Sequence, residues 1–336
     1  MLAEEIRDNE KKIVVLDDDP TGVQTVHDIS VYTNWEKASI EQGFAEENKL
    51  FYILTNSRGF TAAQTEKAHK EIAEVVDQVA KETGKEYLFI SRSDSTLRGH
   101  YPLETTILKD EYEKNTGKKI DGEVLCPFFK EGGRFTIDDV HYVQYDDTLV
   151  PAAETEFAKD KTFGYTVSNL KEYVEEKTQG AYKKENVTAI SLENIRELNY
   201  DKIEEQLLAV EDFNKVIVNA IDYVDVKIFC VALFRAMKKG KNFMFRTAAA
   251  IVKVMGGVSN QPLLTREQMV VKETDNGGII VVGSHTDKTT RQMEKLRENK
   301  DIAFVELNAT LVNNEAAFAE EVERCLALEG EYISSG

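Results

Sequence analysis

Cysteine is scarce in this chain of 336 residues: Cys126, Cys230 and Cys325 are the only three, widely separated. No CxxC pair exists and the five histidines are scattered, so the spacing offers no zinc site. An odd, sparse set of thiols fits a reducing cytoplasm rather than a disulfide framework. Positive charge is also in deficit, with 42 Lys and Arg against 60 Asp and Glu and a net charge of −18. That balance argues against binding to nucleic acid or an anionic membrane, both of which need a basic face. No apolar run approaches the length of a membrane span. The charged start, MLAEEIRDNEKK, lacks the apolar core of a secretory signal. Neither GxxxxGK[ST] nor a GxGxxG after the first strand occurs, which leaves a P-loop and a dinucleotide fold without support. These absences predict a cytoplasmic protein with no nucleic-acid or membrane partner.

What is there is an alternation. The apolar runs KIVVL (12–16), ISVYT (29–33), LFYILTN (50–56), YLFIS (87–91), VTAISL (187–192) and KVIVNAI (215–221) read as buried strands. Helical patterns separate them, notably 61–84, with Gly84 as its stop, then 201–210 and 226–240. Residues 122–165 are less regular and predict loops with antiparallel excursions near a site. GIIVVGS (278–284) and IAFVEL (302–307) read as two further strands, each followed by a helix. The pattern predicts an α/β fold with a largely parallel sheet in an N-terminal substrate domain, 1–252. A polar linker, 253–277, then leads to a second, incomplete α/β domain at 278–336.

Polar clusters stand at the carboxyl ends of several predicted strands, where the loops of an open parallel sheet converge on ligands. The first strand runs into Asp17, Asp18 and Asp19, then Thr21 and Gly22. Three adjacent carboxylates repel one another, so a plain turn has little reason to select them. They can hold Mg²⁺, accept hydrogen bonds from ligand hydroxyls or serve as a base. Asn56, Ser57 and Arg58 close the third strand. RSDSTLRGH (92–100) closes the next, and its Arg92 and Arg98 suit a bidentate grip on a carboxylate. Asp94 suits a ligand hydroxyl or a proton, and Ser95 and Thr96 at a helix start add donors for an anion. Arg246 with Thr247 adds a cation at another strand end, and GGRFT adds Arg134 beside two glycines. Gly283 and Ser284, with Thr286 and Thr289 opening a helix, make a phosphate-binding arrangement. His27 and His285 lie inside motifs, whereas His69 reads as exposed on its helix.

Taken together, DDDPTG (17–22), DSTLRG (94–99), GRFT (133–136), FRTAAA (245–250) and GSHTDKTTRQ (283–292) resemble the landmarks of the four-carbon acid sugar kinase family, in order and across nearly the whole chain. The resemblance implies an ATP- and Mg²⁺-dependent kinase of erythronate, threonate or oxo-tetronate, with a sugar-acid domain first and a nucleotide domain second. By position it makes Asp18, Arg58, Asp94, Arg98 and Gly99 substrate-side residues and Ser284, Thr286 and Thr289 nucleotide-side residues. With the residues' own chemistry, Arg98 and either Arg92 or Arg58 are expected on the substrate carboxylate, and Asp94 or Asp18 on the attacking hydroxyl. Two departures stand out. Asp19-Pro20 replaces the family's usual DDLTG-like sequence, and the later GGDT-like glycine segment of the family is missing. The alternative is therefore a sugar-acid-binding chain without kinase activity. A further alternative is a haloacid dehalogenase-type phosphatase, with Asp17 as nucleophile and Asp19 as acid. A homodimer remains open.

Overall fold

The computed structural model describes residues 1–270, 277–284 and 286–335. They divide into two compact units, Met1–Gln261 and Pro262–Gly336, the division falling inside the polar stretch 253–277. The strands of the first unit are β1 Lys12–Asp17, β2 Val31–Tyr32, β3 Leu50–Leu54, β4 Tyr87–Arg92, β5 Gly122–Cys126, β6 Arg134–Ile137, β7 Val140–Tyr145, β8 Thr148–Pro151, β9 Thr188–Ile190, β10 Asn214–Val218 and β11 Phe243–Thr247. Eight of them form one sheet in the order β2-β3-β1-β4-β11-β5-β10-β9, and β6-β7-β8 form a second. Every pair in the large sheet is parallel.

Period-two alternation explains why these runs read as wholly apolar. Ile13 and Val15 point into one core with Leu50, Tyr52, Leu88 and Ile90, while Val14 and Leu16 point into another with Phe51, Ile53 and Phe89. Helices cover both faces, so each strand buries both sets of side chains. The helix Ala62–Thr83 begins at a capping box of Thr61 and Gln64 and ends at Gly84, whose φ of 66° is the left-handed cap that glycine adopts without strain. This helix packs against both Lys37–Ala45 and Leu103–Thr116. Being flanked on two sides, it buries a wider stripe than one apolar face would. That corrects the expectation for His69, which is only 1% exposed and bonds the Thr65 carbonyl through Nδ1 at 2.9 Å.

The sheet is entered on both sides of β1. The chain goes to β2 and β3 on one side, then returns to β4 on the other, leaving a switch point between β1 and β4. β11, the last strand, inserts between β4 and β5. Loops diverge at such a point and leave a crevice beyond the strand ends. The antiparallel hairpins β6-β7-β8 are the excursion expected within 122–165.

In the second unit the described residues form helices only: Arg266–Met269, Asp287–Leu296 and Glu315–Ser335, with a 3-10 turn at Ala309–Asn313. The strands expected at 278–284 and 302–307 are not formed. A strand needs a neighbour to satisfy its backbone groups, and none pairs with either run among the described residues. Ile279, Ile280 and Val281 are 60, 65 and 88% exposed. The α/β character thus resides in the first unit.

One buried ion pair marks a constraint inside that unit. Lys215 Nζ lies 2.8 Å from Glu123 Oε2, and the side chains are 1% and 0% exposed. The Tyr101 hydroxyl donates to the same carboxylate oxygen at 3.2 Å, and Lys215 stands 3.4 Å from the centre of the Phe213 ring. Removing one member leaves a buried charge alone, whereas removing both leaves an apolar layer. Glu123→Ala is expected to destabilise the first unit by about 3–5 kcal/mol. Glu123→Leu combined with Lys215→Met should recover most of that loss. Trp35 is the single tryptophan, so its fluorescence during urea unfolding reports this unit alone.

Candidate functional site

At the carboxyl ends of β1, β3 and β4, acids and arginines interlock. Asp17 pairs in register with Leu54 and Arg92 on the neighbouring strands, so the three loops leave the sheet side by side. Backbone bonds then fix the loops: Thr55 N–H donates to the Asp17 carbonyl at 2.9 Å, and Asp18 N–H to the Arg92 carbonyl at 3.2 Å. Asn56 takes a left-handed φ of 57°, which turns Ser57 and Arg58 back over β1, and Arg58 N–H donates to the Asp18 carbonyl at 3.2 Å.

The side chains complete the lattice. Arg92 Nη1 donates to Asp17 Oδ1 at 2.9 Å and to Asp18 Oδ1 at 3.4 Å. Arg58 grips Asp18 in a fork, Nη2 to Oδ1 at 2.7 Å and Nε to Oδ2 at 3.2 Å, and extends Nη1 to Asp19 Oδ2 at 3.0 Å. The Arg98 Nε–H donates to Asp94 Oδ2 at 2.7 Å, and the Thr96 hydroxyl donates to the same oxygen. Such charge-assisted forks fix orientation as well as charge. Asp17, Asp18, Arg92 and Asp94 are buried, while the Arg58, Asp19 and Arg98 side chains are about one-fifth exposed at the rim.

Burial and pairing pull these acids apart in proton affinity. Burial pushes the Asp17 carboxyl up to about 7, against the pull of Arg92. Burial likewise raises Asp18 against the pull of Arg58. At Asp94 the effect of burial is outweighed by Arg58 and then Arg98, which hold it well below the usual carboxylate range. Asp19 is lowered too, Arg58 and bonds from Thr21 overcoming its partial burial. The site therefore carries two reluctant anions and two firm ones.

Not every expected residue faces the crevice. Asp17 lies sealed: a Cβ on Gly22 would sit 2.1 Å from its Oδ2, so only a glycine lets the turn close over it. Asp17 is walled in by the Gly22 turn, whereas Asp18, though also buried, turns Oδ2 towards the bare Cα of Gly99, which leaves Asp17 badly placed for the phosphatase alternative. Arg92 is spent on Asp17 and Asp18 beneath the surface. Ser95 and Thr96 do not open a helix; the helix begins at Leu103. They belong instead to a loop held from behind, where the Ser95 carbonyl accepts from His141 Nε2 at 2.7 Å, Thr96 from the Tyr165 hydroxyl at 2.7 Å and Leu97 from the Tyr173 hydroxyl at 2.8 Å. Gly99, at φ 118°, brings the chain against Asp18.

Sequence reasoning missed His141, Tyr165 and Tyr173, whose roles come from a fold-back that no local pattern announces. It also missed Glu104, 1% exposed, which accepts from Ser57 Oγ at 2.9 Å beneath the Arg58 turn. The available signal was its spacing, which puts Glu104 on one helix face with Leu108, Glu111 and Tyr112.

In the second unit, Ser284, Thr286 and Thr289 do come together. Thr289 Oγ1 donates to Ser284 Oγ at 2.9 Å, and Thr286 caps the helix Asp287–Leu296 by accepting from Thr289 N–H at 3.4 Å. Gly283 precedes them in an exposed, irregular stretch, and His285 lies outside the described residues.

A family model described as a sugar-binding N-terminal domain matches residues 13–255. The chain belongs to the four-carbon acid sugar kinase family, whose amino-terminal domain this is. Among solved structures it resembles a Haemophilus influenzae protein of the DUF1537 family, with 17% identity, TM-score 0.52, and coverage of 85% of this chain and 65% of that one. A putative tRNA synthase from Salmonella typhimurium matches at 15% identity and TM-score 0.50, over 74% of this chain and 55% of that one. A DUF1537 domain from Bordetella bronchiseptica, a domain-swapped dimer with bound citrate, matches at 19% identity and TM-score 0.51, over 93% and 70%. The chain thus spans 65% of the length of the first of these and 55% of the second. No curated protein matches it. Among the described residues no helix is long and apolar enough to cross a membrane.

The raised Asp17 carboxyl has a measurable consequence. A carboxyl whose folded value lies near 7, above the unfolded value of 3.8, favours the folded state fully at low pH. That contribution is lost as pH rises towards 7. The stability of the wild type relative to Asp17→Asn should therefore fall steadily between about pH 4 and pH 7. Urea titrations across that range check it, and a flat difference would mean Asp17 titrates normally.

Proposed function

We propose that the chain binds a four-carbon acid sugar at the carboxyl ends of β1, β3 and β4, as the substrate lobe of an ATP-dependent sugar-acid kinase. One observation carries the reading: an interlocked arginine–aspartate lattice at the switch point of a parallel sheet, in a member of this family. A polyhydroxy acid needs fixed acceptors for its hydroxyls and a guanidinium for its carboxylate, and the strand ends gather both: the buried Asp18 and Asp94 with Asp19 at the rim, and several arginines beside them. The Bordetella bronchiseptica neighbour was crystallised with citrate, itself a hydroxy acid, which supports the same ligand chemistry.

Between the two candidate bases, the electrostatics favour Asp18. Two arginines hold Asp94 as a stable anion and make it a poor proton acceptor, whereas burial raises the affinity of Asp18 for a proton. In this reading Asp18 orients the attacking hydroxyl and takes its proton, while Asp94 accepts a hydrogen bond and keeps Arg98 in place. ATP supplies the transferred phosphoryl group. The converging hydroxyls of Ser284, Thr286 and Thr289 beside Gly283, at a helix start, suit its phosphates as a donor set. Magnesium fits this lattice poorly, because Asp18, Asp19 and Asp94 are each engaged by an arginine, and no step is assigned to it.

A thermal-shift titration with erythronate, threonate and oxo-tetronate, each with and without ATP·Mg²⁺, tests the reading. An acid at 100 times its dissociation constant should add about 2.7 kcal/mol of apparent stability. A shift enlarged by ATP supports the kinase, and a shift with the acid alone supports binding without transfer. No shift with any of the three overturns the substrate assignment. Asp18→Asn should keep most of the acid's shift while phosphoryl transfer falls by roughly 100-fold or more.

A further inference from the structure

Five arginines gather around the strand ends, and three are matched: Arg58 with Asp18 and Asp19, Arg92 with Asp17 and Asp18, and Arg98 with Asp94. Arg246 is different. It is the penultimate residue of β11 and only 5% exposed, yet it forms no ion pair among the described residues. Among the described residues its one hydrogen bond runs from Nη2 to the Arg98 carbonyl at 2.7 Å, and its buried Nε has no partner there. It lies 5.8 Å from the centre of the Tyr101 ring. A buried guanidinium with one carbonyl and an aromatic face for company lacks the anion that burial of a charge demands.

The position of that missing anion is marked by Gly99. A Cβ added there would lie 3.3 Å from Asp18 Oδ2 and 3.5 Å from Arg246 Nη2. Acceptor and donor thus flank the same bare patch of backbone. A side chain on residue 99 would fill the space between them, and the φ of 118° disfavours one in any case.

We propose that Arg246, rather than the paired Arg58, Arg92 or Arg98, takes the substrate's carboxylate, with the bare Cα of Gly99 as the floor on which the acid lies between Arg246 and Asp18. This rests on the sugar-acid reading above and adds a specificity residue to it. Arg246 supplies the counter-charge for one end of the ligand, and Asp18 accepts from a hydroxyl on the same small molecule. The chemistry recognised is a short hydroxy acid with its carboxylate ionised; a polyol or an amide of the same length lacks the charge that Arg246 needs. Arg134, also without an ion pair among the described residues and set 5.6 Å from the Phe157 ring, is the competing guanidinium.

Calorimetric titration of the full chain with a four-carbon sugar acid and with its uncharged amide tests the assignment. The wild type should prefer the acid by roughly 30-fold or more, the range of a desolvated charge pair. Arg246→Gln should bind acid and amide about equally, and Arg246→Lys should retain part of the preference because it keeps the charge but loses the fork. Because the unliganded arginine has no counter-ion, Arg246→Gln should unfold at a temperature close to that of the wild type. A merely structural arginine would instead lower that temperature and weaken both ligands alike. Persistence of the acid preference in Arg246→Gln overturns the proposal, and its loss in Arg134→Gln instead moves the role to Arg134. A wild type that binds neither compound removes the sugar-acid reading itself.

Discussion

Everything at the strand ends depends on holding carboxylates together away from water. Asp17 and Asp18 are neighbours in sequence, both buried, and the repulsion between them is opposed by Arg92 and Arg58. Arginine suits this task because its planar fork reaches two acids at once and keeps its charge when desolvated. The result is an array that is nearly neutral within a chain of net charge −18. Local pairing, and not the global field, sets what the crevice attracts.

The lattice also explains why the loops are so heavily tied from behind. Residues 94–99 carry donors and acceptors that must not wander, and their carbonyls are anchored by His141, Tyr165 and Tyr173 from the region of the antiparallel hairpins and the segment that follows. Burial lowers His141 to about 4, so it stays neutral around pH 7 and serves as a fixed hydrogen-bond partner. Rim groups such as Asp19 and Arg98 then sit on a rigid base. Precision in the visible layer is supplied by the one beneath.

Much of this was legible in the sequence. Strands buried on both faces appear as unbroken apolar runs, and the charged residues that end them stand out sharply, as at Asp17 and Arg92. What the sequence hid was commitment. RSDSTLRGH displays its arginines as equals, yet Arg92 faces inward because it is the last residue of β4, in register with Asp17, whereas Arg98 reaches the rim. The strand order hid it further, since β11 is remote from β4 in sequence and adjacent in space. The apolar runs of the second unit misled for the opposite reason: hydrophobicity marks a segment able to form a strand, but only a neighbouring strand makes it one.

The insertion of β11 between β4 and β5 has a consequence for the order in which the molecule is made. Until residues 243–247 leave the ribosome, β4 and β5 cannot be bridged, so any sheet formed earlier is limited to two separate halves with open edges. Non-local pairing of this kind is slow, because the chain between must be gathered first. Synthesis of the first unit is nearly finished before its sheet can close. The strand that joins the halves also carries Arg246 to the crevice, so a nascent chain acquires a continuous sheet and that arginine in the same event.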